Sequence, residues 1–189
     1  MRHLILASAS PRRLELLRQI GVTPERVEPS AVDESVLAGE LPRAHALRLA
    51  EAKALAIAPN HPGKYVLGAD TVVALGRRIL PKALDEDTAR RCLAMLSGRR
   101  HRVIGGVALL RPDGRTTRRV VTTTVAFKQL EPAEIDAYIE SGEWHDKAGG
   151  YAVQGRAAAF VRFLSGSYSN VVGLPLYETM SLLKGLGLC

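Results

Sequence analysis

With 189 residues, 47% hydrophobic and 24% charged, the chain has the composition of a folded globular protein, which excludes a disordered or fibrous design. A formal charge of +7 favours an anionic partner, without choosing among nucleic acid, lipid headgroup and phosphate-bearing metabolite. Two cysteines, Cys92 and Cys189, are too few for a disulfide framework or a zinc site, and no apolar run reaches the roughly 20 residues that cross a bilayer.

His3 to Ala7 reads as a short buried strand. The opening residues look superficially like a secretory signal, but their apolar run is about half the required length. Free thiols and a soluble, cytoplasmic protein are the expectation. From Pro11 the apolar spacing Leu14, Leu16, Leu17, Ile20 turns helical and stops at Gly21, a C-cap. Val22 to Ala31 is expected to hold another extended piece, and Arg43 to Ile57 a helix behind Pro42. Tyr65 to Leu75 reads as a central strand with a polar bend at Gly68-Ala69-Asp70-Thr71. Asp85 to Leu96 is a helix with an acidic start, closed by Ser97-Gly98. Residues 101–111 and 116–128 form a hairpin around Arg111-Pro112-Asp113-Gly114. Glu131 to Glu140 is a short helix, Gly149 to Leu164 a strand pair with tight turns, and Leu174 to Leu183 a closing helix with Pro175 in its first turn. Alternating helices and strands around a hairpin predict an α/β fold on a mixed sheet, with residues 1–189 as one domain.

Ser10-Pro11-Arg12-Arg13 puts two cations at the positive end of a helix, where each unmatched charge costs roughly 0.3–1 kcal/mol. An anion in front of the helix, phosphate above all, resolves the conflict, with the Ser8 and Ser10 hydroxyls as further donors. The alternative is that both guanidiniums splay into solvent or pair with Asp33 and Glu34. Asp70 interrupts a run fit for a sheet interior; a metal, a lysine or an activated water would partner it, unless it caps a turn. Lys53 and Lys82 are potential phosphate contacts or plain surface charges. Asp33-Glu34 supplies hard oxygens suited to Mg²⁺ or Mn²⁺, or is simply an acidic loop. The stretch from Asp146 to Gly155 combines glycine turns with Gln154, whose amide can read a base edge. The five histidines look incidental. Arg-Arg pairs at 12–13, 77–78, 90–91, 99–100 and 118–119 are scattered and aromatics make up 5%, which argues against nucleic acid as a partner. The familiar phosphate loops and the H-E-x-x-H motif are missing from the sequence, so a phosphate site here needs another scaffold.

In combination, Leu6 to Arg13, Gly68-Ala69-Asp70-Thr71, Leu80-Pro81-Lys82, Leu96-Ser97-Gly98, Asp146-Lys147-Ala148-Gly149 and Val172 to Leu176 resemble the Maf family of nucleotide pyrophosphatases, nearly end to end. The resemblance implies a Maf/Ham1 (ITPase-like) α/β fold, an elongated mixed sheet with flanking helices and two lobes around a central cleft. It implies hydrolysis of a nucleoside triphosphate, assisted by a divalent metal (Mg²⁺ or Mn²⁺), to the monophosphate and pyrophosphate. The family's proton acceptor matches Asp70; its phosphate contacts match Ser8, Arg12, Arg13, Lys53 and Lys82; Glu34 and Asp70 match the metal positions. Arg12, Thr71 and Gln154 match the positions of substrate choice. In these it resembles the dTTP/UTP branch, whereas the 7-methyl-GTP branch has Trp after the proline. A homodimer is also implied. Two departures stand out: Pro81-Lys82-Ala83 replaces a frequent Glu-Lys-Pro, removing a carboxylate near the phosphates, and Gly105-Gly106 stands where a Thr is common. The rival expectation is a non-catalytic nucleotide-binding regulator of septum formation.

Overall fold

The computed structural model describes residues 3–188, so Cys189 lies outside the described residues. Strand β1 (Leu4–Ala7) is buried throughout and hands over to α1 (Pro11–Gln19), whose apolar Leu16 and Leu17 face the core. Short β2 (Arg26–Glu28) precedes α2 (Pro42–Ile57). Then come β3 (Tyr65–Leu75), β4 (Arg78–Leu80), β5 (Lys82–Ala83) and α3 (Glu86–Leu96), whose N-cap Asp85 accepts from Thr88 N. The hairpin β6 (Arg100–Leu110) and β7 (Thr116–Phe127) leads to α4 (Pro132–Glu140). The chain closes with β8 (Lys147–Ala148), β9 (Val161–Ser165), α5 (Tyr168–Val172) and α6 (Leu176–Gly185). Among the described residues no helix is long and apolar enough to cross a membrane.

The main sheet runs β2-β1-β3-β6-β7-β9, with β4 also on β3; β5 and β8 form a separate two-stranded pair. β1 is parallel to β2 and β3, while β3, β6, β7 and β9 pair antiparallel, so the sheet is mixed as the alternation and hairpin predict. Strand β3 is the hub. It runs unbroken through the polar stretch that reads as a bend: Asp70 pairs with Gly106 and Thr71 with Gly105 in regular register. The glycines serve packing rather than turning. A Cβ on Gly68 would lie 2.1 Å from the Ala50 carbonyl oxygen, and one on Gly106 would lie 2.1 Å from that of Ala46. α2 therefore rests with its backbone against β3 and β6. Gly105 is small for a different neighbour, since its Cβ would lie 2.0 Å from Asn170 Oδ1.

Two other expectations need correction. Residues 149–164 are not a strand pair: Gly149 (φ +67°) and Gly150 (φ +70°) turn the chain away after the two residues of β8. A 3₁₀ turn over Arg156–Phe160 then buries Ala157 and Phe160, and β9 joins the edge of β7. The closing helix is α6, two residues later than its expected bounds, and it is preceded by the short α5, which the sequence reading leaves out. The Ser167 side chain caps α5, Gly173 (φ +148°) ends it, and Pro175 stands at the N-cap of α6 rather than inside it. The short strands β4 and β5 carry too few residues for a periodic signal.

Apolar packing gathers into a cluster around Leu4, Leu17, Leu67 and Leu109 and another around Leu93, Phe127, Tyr138 and Phe160. β3 passes from the first, which holds Ala69, to the second, which holds Val73; Asp70 and Thr71 lie between.

Candidate active site

The cleft opens where β3 crosses between these clusters. Asp70 is 4% exposed there, and Lys53 of α2 is 5% exposed, its Nζ donating to Asp70 Oδ1 at 2.7 Å. Of the partners that would make a buried carboxylate tolerable, the described structure supplies a lysine. Lys53 also lies 2.6 Å from Glu34 Oε1, and Lys82, at the start of β5, lies 2.6 Å from Glu34 Oε2. Partial burial pushes the Glu34 carboxyl upward, but the two lysine hydrogen bonds outweigh it and bring it down to about 2. Asp33 stays apart from this cluster, its carboxylate accepting from the backbone and hydroxyl of Ser35.

Arg13 is buried at 8% exposure, and each of its three guanidinium nitrogens donates one hydrogen bond. Nε donates to the Gly173 carbonyl (2.9 Å), one terminal nitrogen to Ser8 Oγ (3.1 Å) and the other to Thr71 Oγ1 (3.2 Å). It thus ties α1, β3 and the turn after α5 together. Burial lowers its pKa, partly opposed by Asp70. Arg12, the next residue, is less buried and lines the cleft; burial lowers its pKa too, opposed by Asp146. Among the described residues neither arginine forms an ion pair with Asp33 or Glu34. Ser10 occupies the N-cap of α1 without a side-chain cap bond; its amide instead donates to Ser8 Oγ at 3.1 Å. The cation-rich helix start therefore lines the cleft with both arginines, Arg13 being tied to Ser8, Thr71 and Gly173.

Thr71 and Gln154 line the same cleft. All the residues singled out by the sequence as site candidates, Asp33 aside, meet here. Asp146, Lys147 and Tyr151, which lie in the stretch 146–155 singled out by the sequence but given no role of their own there, also line it. Asp146 is the non-glycine residue of positive φ (55°) among those described, and its amide donates to Ala83 O at 2.9 Å, beside Lys82. Asp tolerates the left-handed region better than most residues, which was the available signal. Tyr151 is backed by a histidine that looked incidental: His101 Nε2 lies 2.9 Å from Tyr151 Oη, and burial lowers the His101 pKa to about 4.

The donor set suits a metal that arrives with an anionic ligand. Mg²⁺ typically takes one or two carboxylates and fills its shell with phosphate oxygens and water. Asp70 and Glu34 supply that number, and among the described residues no group of three or more carboxylate, imidazole or thiol ligands forms a protein-only cage.

The Maf-like protein family profile matches residues 3–186. The chain is 67% identical over 184 residues to a dTTP/UTP pyrophosphatase of Paramagnetospirillum magneticum, covering 97% of each chain. It is 61% identical over 184 residues to a dTTP/UTP pyrophosphatase of Caulobacter vibrioides, covering 97% of this chain and 95% of that one. Among solved structures, the Ham1 protein of Staphylococcus aureus superposes with a TM-score of 0.54 at 16% identity, covering 97% of this chain and 98% of that one. A HAM1 protein from Coxiella burnetii gives 0.54 at 15%, covering 98% and 100%. At such identities these two speak for the fold alone, and they agree with a Maf/Ham1-like sheet flanked by helices. From Ser8-Ala9-Ser10-Pro11-Arg12-Arg13 to the Gly173 turn that Arg13 grips, the chain belongs to the Maf family.

Proposed function

We propose that this protein is a nucleoside triphosphate pyrophosphatase that hydrolyses dTTP and UTP to the monophosphate and pyrophosphate. The observation that carries the reading is the buried Asp70–Lys53 pair in a cation-lined cleft, on a chain 60% or more identical to relatives named for that activity.

Asp70 would orient and deprotonate the attacking water, with Lys53 holding its carboxylate in one rotamer. Arg12, Lys53 and Lys82 would gather the triphosphate and neutralise charge on the departing pyrophosphate. Arg13 would act through Ser8 and Thr71, fixing one hydroxyl toward the phosphates and the other toward the sugar or base. Gln154 would read the base edge. A divalent metal held by Asp70 and Glu34 would, when bound, add charge neutralisation and lower the pKa of a water. The cytoplasmic homodimer that the family resemblance implies belongs to the same proposal.

The test is a panel of dTTP, UTP, CTP, GTP and 7-methyl-GTP, each with Mg²⁺ or Mn²⁺, with released pyrophosphate measured. Preferential turnover of dTTP and UTP is expected. Release from none of them, or preference for 7-methyl-GTP, would overturn the reading.

A further inference from the structure

Glu34 sits in the segment 29–41 between β2 and α2, which contains neither helix nor strand. Val36, Leu37 and Leu41 in this segment are 50%, 53% and 48% exposed, so apolar burial does not hold it down. Its attachments are polar. Near the α2 end, Glu40 receives Arg48 Nε at 2.6 Å and faces His45 Nδ1 at 2.8 Å, while Arg48 also donates to Ser35 O at 2.9 Å. His45 and Arg48 belong to α2 and are not among the residues that line the cleft. Glu34, by contrast, reaches into the cleft, and each of its oxygens meets a different lysine, Lys53 and Lys82.

Those two ammoniums are the groups a phosphate chain would need, which has a physical consequence. A phosphate oxygen approaching either lysine meets an anion already seated, so the two anions compete for the same ammonium groups. A tethered carboxylate lowers the apparent affinity of any incoming anion by the fraction of time it leaves the lysines free. Once displaced, Glu34 loses both of its partners, and the segment around it keeps only its Arg48 and His45 anchors.

We propose that Glu34 is an internal competitor for the phosphate-binding lysines, a latch whose expulsion by a polyphosphate frees segment 29–41 from the mouth of the cleft. The inference takes its biological sense from the pyrophosphatase reading, but its test needs no nucleotide and no turnover. In that reading, release of the segment would let the displaced carboxylate turn to a metal carried in with the substrate.

The experiment measures pyrophosphate binding by calorimetry in EDTA, for the wild-type protein, Glu34→Gln and Glu34→Asp. Glu34→Gln is expected to bind pyrophosphate roughly fivefold or more tightly than wild type, with Glu34→Asp in between. In parallel, backbone hydrogen exchange of residues 31–39 in the wild type is followed with and without saturating pyrophosphate. Faster exchange with pyrophosphate supports the latch. Equal or weaker binding by Glu34→Gln, or slower exchange of the wild-type segment on binding, would overturn it. If the nucleotide panel fails while these results hold, the latch stands without the proposed activity. If the panel succeeds and they fail, the latch alone falls.

Discussion

Lys53 Nζ stands 2.7 Å from Asp70 Oδ1 and 2.6 Å from Glu34 Oε1, so one buried ammonium serves two carboxylates from different parts of the chain. Removing it leaves Asp70 buried without its counter-charge. Lys53→Met is expected to destabilise the fold by about 3 kcal/mol, measured by urea unfolding. In the double variant with Asp70→Asn the two costs should be far from additive. Additive losses would show that the pair is not coupled.

Asp70→Asn alone tests the proposed base. The amide keeps the shape and can still accept from Lys53, so KM for dTTP should change by less than about threefold while kcat falls roughly 10²-fold to 10⁴-fold. Steady-state kinetics with both substrates checks this, and an unaltered kcat would remove Asp70 from the chemistry.

The adjacent arginines should separate cleanly. Arg13→Ala deletes a buried charged donor that bridges Ser8, Thr71 and Gly173, and it should lower stability by about 2–3 kcal/mol and damage both KM and kcat. Arg12→Ala should raise KM for the triphosphate with thermal stability nearly unchanged. Thermal melts combined with kinetics distinguish the two, and equal stability losses would refute the division.

His101 gives the fold a pH dependence of defined sign. Its folded pKa, lowered by burial to about 4, lies below the ordinary value of 6.5, so between those limits the unfolded chain binds the extra proton. Its contribution is therefore complete above about pH 6.5 and is lost as pH falls toward 4. His101→Gln should shrink the difference in urea midpoint between pH 7.5 and pH 4.5. An undiminished difference would assign the acid sensitivity to other groups.

Much of this was legible because it is local. The helices starting at Pro11, Pro42 and Pro132 and the one capped by Asp85 announce themselves through proline, caps and 3.6-residue spacing, and the hairpin through Pro112-Asp113-Gly114. The residues of the cleft were identifiable one by one as charges in unexpected surroundings. Their connections were not. That Arg13 is spent on Ser8, Thr71 and Gly173, or that Glu34 spans two lysines, depends on contacts between residues far apart in sequence. Gly68 was misread for the same reason: a glycine that admits a neighbouring helix and one that bends a strand look alike in sequence. Between 149 and 173 the left-handed glycines broke the chain into pieces too short for any period to show.

The backbone seating of α2 on β3 and β6, made possible by Gly68 and Gly106, has a cost for adaptability. A single methyl at either position would lift the helix, and Lys53 with it, away from Asp70. That wall of the cleft is consequently an invariant datum for the phosphate chemistry, with no slack to trade for a new substrate.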